Sequence, residues 1–131
     1  MTASIERDVV IVACAVSAGV HAALTPEHFH EGAGAGGGFL VATIVLGALA
    51  VVLTRWPSEG ALAVTVLVMT GLIAAYALVL TTGVPMLHPE VEPLSGLAVA
   101  TKLVETAGAL VALHVLRIPA PAPLRVKGTP A

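Results

Sequence analysis

Four long runs of apolar residues, separated by short polar, glycine-rich or proline-rich stretches, constrain this chain more than any other feature. The runs are continuous rather than striped, so a helix built from any of them is apolar on every side, which is the pattern of a segment whose solvent is lipid. Composition agrees. Charged residues make up 11% of the chain against 57% hydrophobic ones, far too little charge to cover a water-soluble surface. The expected fold is therefore an all-α integral membrane four-helix bundle of up-down topology.

The spans are predicted at about Val9 to Leu24, Gly38 to Thr54, Ala61 to Thr82 and Leu94 to Arg117. Together residues 1–117 form one transmembrane domain, and the Pro-rich stretch 118–131 reads as a disordered tail that cannot continue a helix. The segment before the first run holds Arg7 but also Glu6 and Asp8, and no small-x-small cleavage site follows the run, so a retained helix is expected rather than a signal peptide. Trp56, Pro57, Ser58, Glu59 and Gly60 make a tight turn that forces spans two and three to be antiparallel neighbours.

Basic residues set the orientation. Arg7, Arg55, Arg117, Arg125 and Lys127 all fall on one side of a four-span layout, and the two opposite loops contain no Lys or Arg. By the positive-inside rule both termini are predicted to be cytoplasmic in a multi-pass protein of the cell membrane, with Trp56 as an interface anchor. Nothing resembles the basic patch that nucleic acid requires. The single cysteine, Cys14, excludes an internal disulfide and any CxxC pair.

The opposite face is acidic and rich in histidine. Its first loop reads Thr25-Pro26-Glu27-His28-Phe29-His30-Glu31 ahead of a glycine run, and its second carries His88, Glu90 and Glu92 among Pro85, Pro89 and Pro93. Thr25 and Pro26 read as the N-cap and first residue of a new helix. Alternatively span one continues through Pro26, in which case His21 and His28 share a face. Imidazoles and carboxylates without a basic counter-ion suit a divalent transition metal, so His21, His28, His30, Glu31 and His88 are candidate ligands for copper or zinc, and Met86 would tilt the choice toward copper. Wet loop residues at the headgroup level would show the same composition, and no tight motif such as HExxH is present. A haem held by His21 and His88 ranks below a bare metal.

Within span four, Lys102 and Glu105 are three residues apart and share a helix face as an intramembrane polar pair. A carboxylate at mid-membrane is costly, so Glu105 is expected to face the bundle interior and meet Lys102 and polar groups of spans one and three. Cys14, Ser17 and His21 form a polar stripe on span one, and Thr65, Met69 and Tyr76 lie at compatible spacing on span three. A polar interior opening toward the outer face would follow. A buried pair that only fixes helix rotation is the structural alternative.

The stretches His-Ala-Ala-Leu-Thr-Pro-Glu-His-Phe at 21–29, Thr-Gly-Val-Pro at 82–85 and Lys-x-x-Glu at 102–105 resemble a group of small four-helix integral membrane proteins of high-G+C bacteria for which no activity is established. That resemblance implies the four-helix layout and an outward location for the His and Glu residues. Two functional classes follow from the sequence. One is metal binding or handling on the extracytoplasmic face. The other is a small accessory or scaffold subunit of a larger respiratory or transport complex, or a homo-oligomer, with Gly47, Gly71 and Gly108 supporting close helix contacts. An enzyme using Glu105 and an outer histidine as acid or base is a weaker alternative.

Overall fold

The computed structural model describes residues 3–85, 91 and 93–118. It contains four helices, α1 (Ala3–Glu31), α2 (Ala33–Arg55), α3 (Glu59–Thr81) and α4 (Gly96–Arg117), and no strand pairs with another among the described residues. Each is long and apolar enough to cross a membrane. His88, Met86, Glu90, Glu92 and the tail from 119 onward lie outside the described residues.

Local chemistry explains where the helices stop. Ser58 and Ser95 are N-caps whose hydroxyls accept the backbone N–H of Ala61 and Ala98 at 3.1 and 3.2 Å. At the other end of α3, Gly83 takes a positive φ of 69° directly after the Thr82 C-cap, a conformation that costs glycine nothing.

The expected first outer loop is a correction. α1 continues through Pro26 to Glu31, a single residue, Gly32, intervenes, and α2 then begins at Ala33 with the glycine run inside it. Thr25 is not an N-cap; its hydroxyl donates to the His21 carbonyl at 2.7 Å within α1. Pro26 supplies no N–H to the turn before it, and its exposed position places that loss on the outside of the bundle. Glycine lowers helix propensity by about 1 kcal/mol per residue in water, which is why the run reads as a loop. In an apolar setting, however, backbone groups must be satisfied internally and the helix is the cheapest way to do so. Packing adds a reason: a Cβ at position 36 would overlap the Phe29 ring, so Gly36 lets the two helices meet where they join. Away from this join, α1 begins at Ala3, about six residues ahead of the expected Val9, and the other five helix ends agree with expectation to within about two residues.

Side-chain pairs show the packing directions. Phe29 meets Gly36, His28 meets Phe39 and His21 meets Phe39, so residue numbers fall on α1 as they rise on α2. Ser17 meets Glu105, Ala13 meets Gly108 and Glu6 meets His114 in the same opposed sense. Met69 with Gly108 and Tyr76 with Lys102 repeat it for α3 and α4. The bundle is antiparallel from neighbour to neighbour, with α2 and α3 meeting over much less surface than the other adjacent pairs.

The buried positions recur three and four residues apart, as in α1 at Val10, Ala13, Cys14, Ser17, Ala18 and His21, and in α4 at Thr101, Glu105, Gly108, Ala109 and Ala112. Outside these narrow seams large apolar side chains are exposed on every helix, including Val12, Ile44, Leu67 and Leu103.

Candidate functional site

Glu105 lies at the centre of the bundle with no exposed surface. Its Oε1 accepts from Ser17 Oγ of α1 at 2.6 Å, and its Oε2 accepts from Lys102 Nζ one turn earlier on α4 at 2.7 Å. Both carboxylate oxygens are thus occupied and the charge is matched, which is what a buried carboxylate needs. The Lys102 ammonium also lies 5.6 Å from the centroid of the Tyr76 ring on α3, within cation–π range. Residues of three helices therefore meet at the Lys102–Glu105 pair, α1 through the carboxylate and α3 through the ammonium.

From Ser17 the polar chain continues along α1. His21 Nδ1 is 2.8 Å from the Ser17 carbonyl and 3.4 Å from its hydroxyl. A carbonyl only accepts, so Nδ1 carries the proton in that bond and Nε2 holds the lone pair of the neutral ring. Two turns on, His28 Nδ1 donates to the Leu24 carbonyl at 2.9 Å. Phe39 of α2 stacks on the His28 ring at 3.6 Å between centroids and reaches His21 at 5.2 Å. The aromatic ring thus packs against both imidazoles.

Between this wall and the facing helices lies a cavity of about 490 Å³, within the range of small-molecule sites. Leu24, Phe39, Leu72 and Val79 supply apolar lining, and His21, His28, Tyr76, Thr101 and Lys102 supply polar groups. Glu27 and Glu31, both exposed, also border it. The Tyr76 hydroxyl is buried without a hydrogen-bond partner among the described residues.

The other half of the bundle is closed. Val10, Cys14, Leu46, Leu53, Thr65 and Met69 are fully buried there, and a Cβ on Gly108 would lie 2.7 Å from Ala13 Cβ and 2.9 Å from Met69 Sδ. Gly108 is the glycine of the expected three that makes a close contact; a Cβ at Gly47 or Gly71 would meet nothing within 4 Å. Beyond this layer His114 Nε2 stands 3.8 Å from Glu6 Oε1, an exposed imidazole beside a buried carboxylate. His114 is remote from the other described histidines, as its place at the end of α4 predicts.

The expected metal ligands are only partly gathered. His21, His28 and Glu31 border the cavity, with His28 Nε2 and Glu31 Oε2 3.9 Å apart. His30, two positions beyond His28, falls on another side of α1 and is exposed. His88 lies outside the described residues, as does any His21–His88 pairing across a haem. Among the described residues no three His, Cys, Asp or Glu side chains converge in a way that would hold a metal ion.

Sequence reading found the Lys102–Glu105 pair and the inward direction of Glu105. It did not find Phe39, which stands at the start of predicted span two without a role assigned to it, nor Thr101 as a lining residue. The signal for Phe39 was present as the lone aromatic residue at the start of the second apolar run. No protein-family model, no curated protein and no solved structure matches the chain.

Proposed function

We propose that this is a multi-pass membrane protein, both termini cytoplasmic, that binds a small and mainly apolar molecule in a cavity reached from the opposite side. The supporting observation is the cavity beside Glu105: about 490 Å³ of space with largely apolar walls and a few convergent polar groups, the usual anatomy of a ligand site. The packed layer around Gly108 closes the other end, which favours a binding pocket over a pore. Orientation rests on the basic residues Arg7, Arg55 and Arg117 at the closed end of the bundle.

The test is saturable binding of a neutral naphthylamine fluorophore to the full chain in nanodiscs, compared with Ala75→Trp. Ala75 is an exposed α3 residue on the cavity wall, so an indole there fills space without displacing a core side chain. Stoichiometric binding that disappears in the variant supports the reading. Equal, non-saturating uptake by both proteins removes it.

Copper or zinc binding is the second reading. His21 and His28 each commit Nδ1 to a backbone carbonyl, the arrangement that orients Nε2 toward a metal, and Glu31 adds a carboxylate nearby. A further ligand would have to come from outside the described residues. Copper or zinc that stays with the protein through desalting, and is lost in both His21→Ala and His28→Ala, would place the metal reading first.

A further inference from the structure

The polar groups around the inner end of the cavity are unlike one another, and their differences restrict what can occupy it. Charge comes first. Lys102 and Glu105 neutralise each other at 2.7 Å, so a charged ligand head would enter an apolar site without a counter-ion, at a large desolvation cost. Lys102 repels a cation at the inner end, and the exposed carboxylates Glu27 and Glu31 bordering the cavity repel an anion. An uncharged head remains.

Hydrogen-bonding capacity comes next. The Lys102 ammonium has three N–H donors, of which one meets Glu105. The Tyr76 hydroxyl is buried and has no partner among the described residues. His21, with Nδ1 bonded to the Ser17 carbonyl, presents an acceptor at Nε2. The site therefore offers two donors for a carbonyl oxygen and an acceptor for a hydroxyl. Phe39 with the two imidazoles makes an aromatic wall that suits a flat ring, and Leu24, Leu72 and Val79 suit a hydrocarbon tail.

We propose that the cavity binds a quinone and its quinol, a membrane-soluble ring whose carbonyl accepts from Lys102 and Tyr76 and whose hydroxyl donates to His21. This inference rests on the cavity reading above. It concerns binding of the two forms and assigns the protein no electron transfer. A fatty alcohol's one hydroxyl can accept from a donor and donate to His21 but leaves the aromatic wall unused; a fatty acid would carry the disfavoured charge.

Equilibrium dialysis of the full chain in nanodiscs tests this with four probes: a decyl-substituted benzoquinone, its quinol, decanol and decanoic acid. Saturable binding is expected for the first two alone. Tyr76→Phe, which removes only the hydroxyl, should weaken the quinone by about three- to tenfold, the value of one hydrogen bond. His21→Phe should weaken the quinol more than the quinone, and this second variant carries the test if Tyr76→Phe does not fold. Decanol binding as tightly as the quinone, or quinone affinity unchanged in Tyr76→Phe, overturns the quinone assignment while leaving the cavity. No saturable binding of any probe, nor of the naphthylamine fluorophore, overturns both.

Discussion

The two halves of this bundle use the same four helices and the same three-and-four spacing of inward positions, yet one is packed solid and the other holds a cavity. In the closed half, Leu46, Leu53 and Met69 fill the space between helices, and Gly108 lets α4 approach Ala13 and Met69 until no room is left. In the open half the corresponding helix faces carry Gly34, Gly38, Ala42 and Ala75, whose small side chains leave space that His21, His28 and Tyr76 line but do not fill. Glu105 sits at the boundary. Hydrophobic pattern alone thus sets which face turns inward, and side-chain volume along that face decides whether the interior is core or site.

Removing the boundary charge should have the largest effect. Glu105→Leu leaves the Lys102 ammonium and the Ser17 hydroxyl without their acceptor, at an expected cost of about 3 kcal/mol in a detergent unfolding titration. Adding Lys102→Met should restore most of that loss, because the cost is the stranded charge. Gly108→Leu comes next, at about 2 kcal/mol from overpacking against Ala13 and Met69. Gly47→Leu, with nothing within 4 Å of its Cβ position, should stay within about 0.5 kcal/mol in the same assay. Equal effects at the two glycines would erase the distinction between a packed seam and an open face. Ser17→Ala should cost about 1 kcal/mol by leaving Glu105 Oε1 short of one donor. His30→Ala, on an exposed part of α1, should alter neither stability nor ligand binding, whereas a clear loss of either would return His30 to the site.

Much of this arrangement was legible from residue type. Four apolar runs gave four helices, and the cost of a carboxylate in lipid gave the inward direction of Glu105 and its bond to span one. The join between α1 and α2 was not legible, because glycine and proline carry the meaning they have in water. Pro26 reads either as a helix start or as a point that span one passes through, and the run from Gly32 to Gly38 as a loop. In the structure α1 continues through Pro26 and α2 takes in all of the run but Gly32, which satisfies backbone groups that an apolar setting leaves no other way to satisfy. Of the two readings of Pro26, the structure has the continuous helix, and with it the shared face of His21 and His28. With α1 continuing past Pro26, His21 and His28 turn inward against Phe39 and His30 turns away, so these three expected ligands do not share a face. The polar stripe of span one together with Glu105 pointed to a polar interior opening toward the outer face, but the volume of the cavity had no local signature. It arises from small residues on α2 and α3 falling opposite one another, a matter of register between distant segments.

Thiol accessibility measures the contrast between the halves most directly. In a Cys14→Ala background, Thr101→Cys places a thiol on the cavity lining and Ala112→Cys places one in the closed layer; both native residues are buried, at 5% and 0% exposure. A small water-soluble thiol reagent, applied to sealed vesicles from the side opposite the termini, should modify position 101 quickly and position 112 only after unfolding. Modification of both at similar rates would mean a water path through the bundle, and protection of both would mean that no cavity opens to that side; either result contradicts a pocket closed at one end.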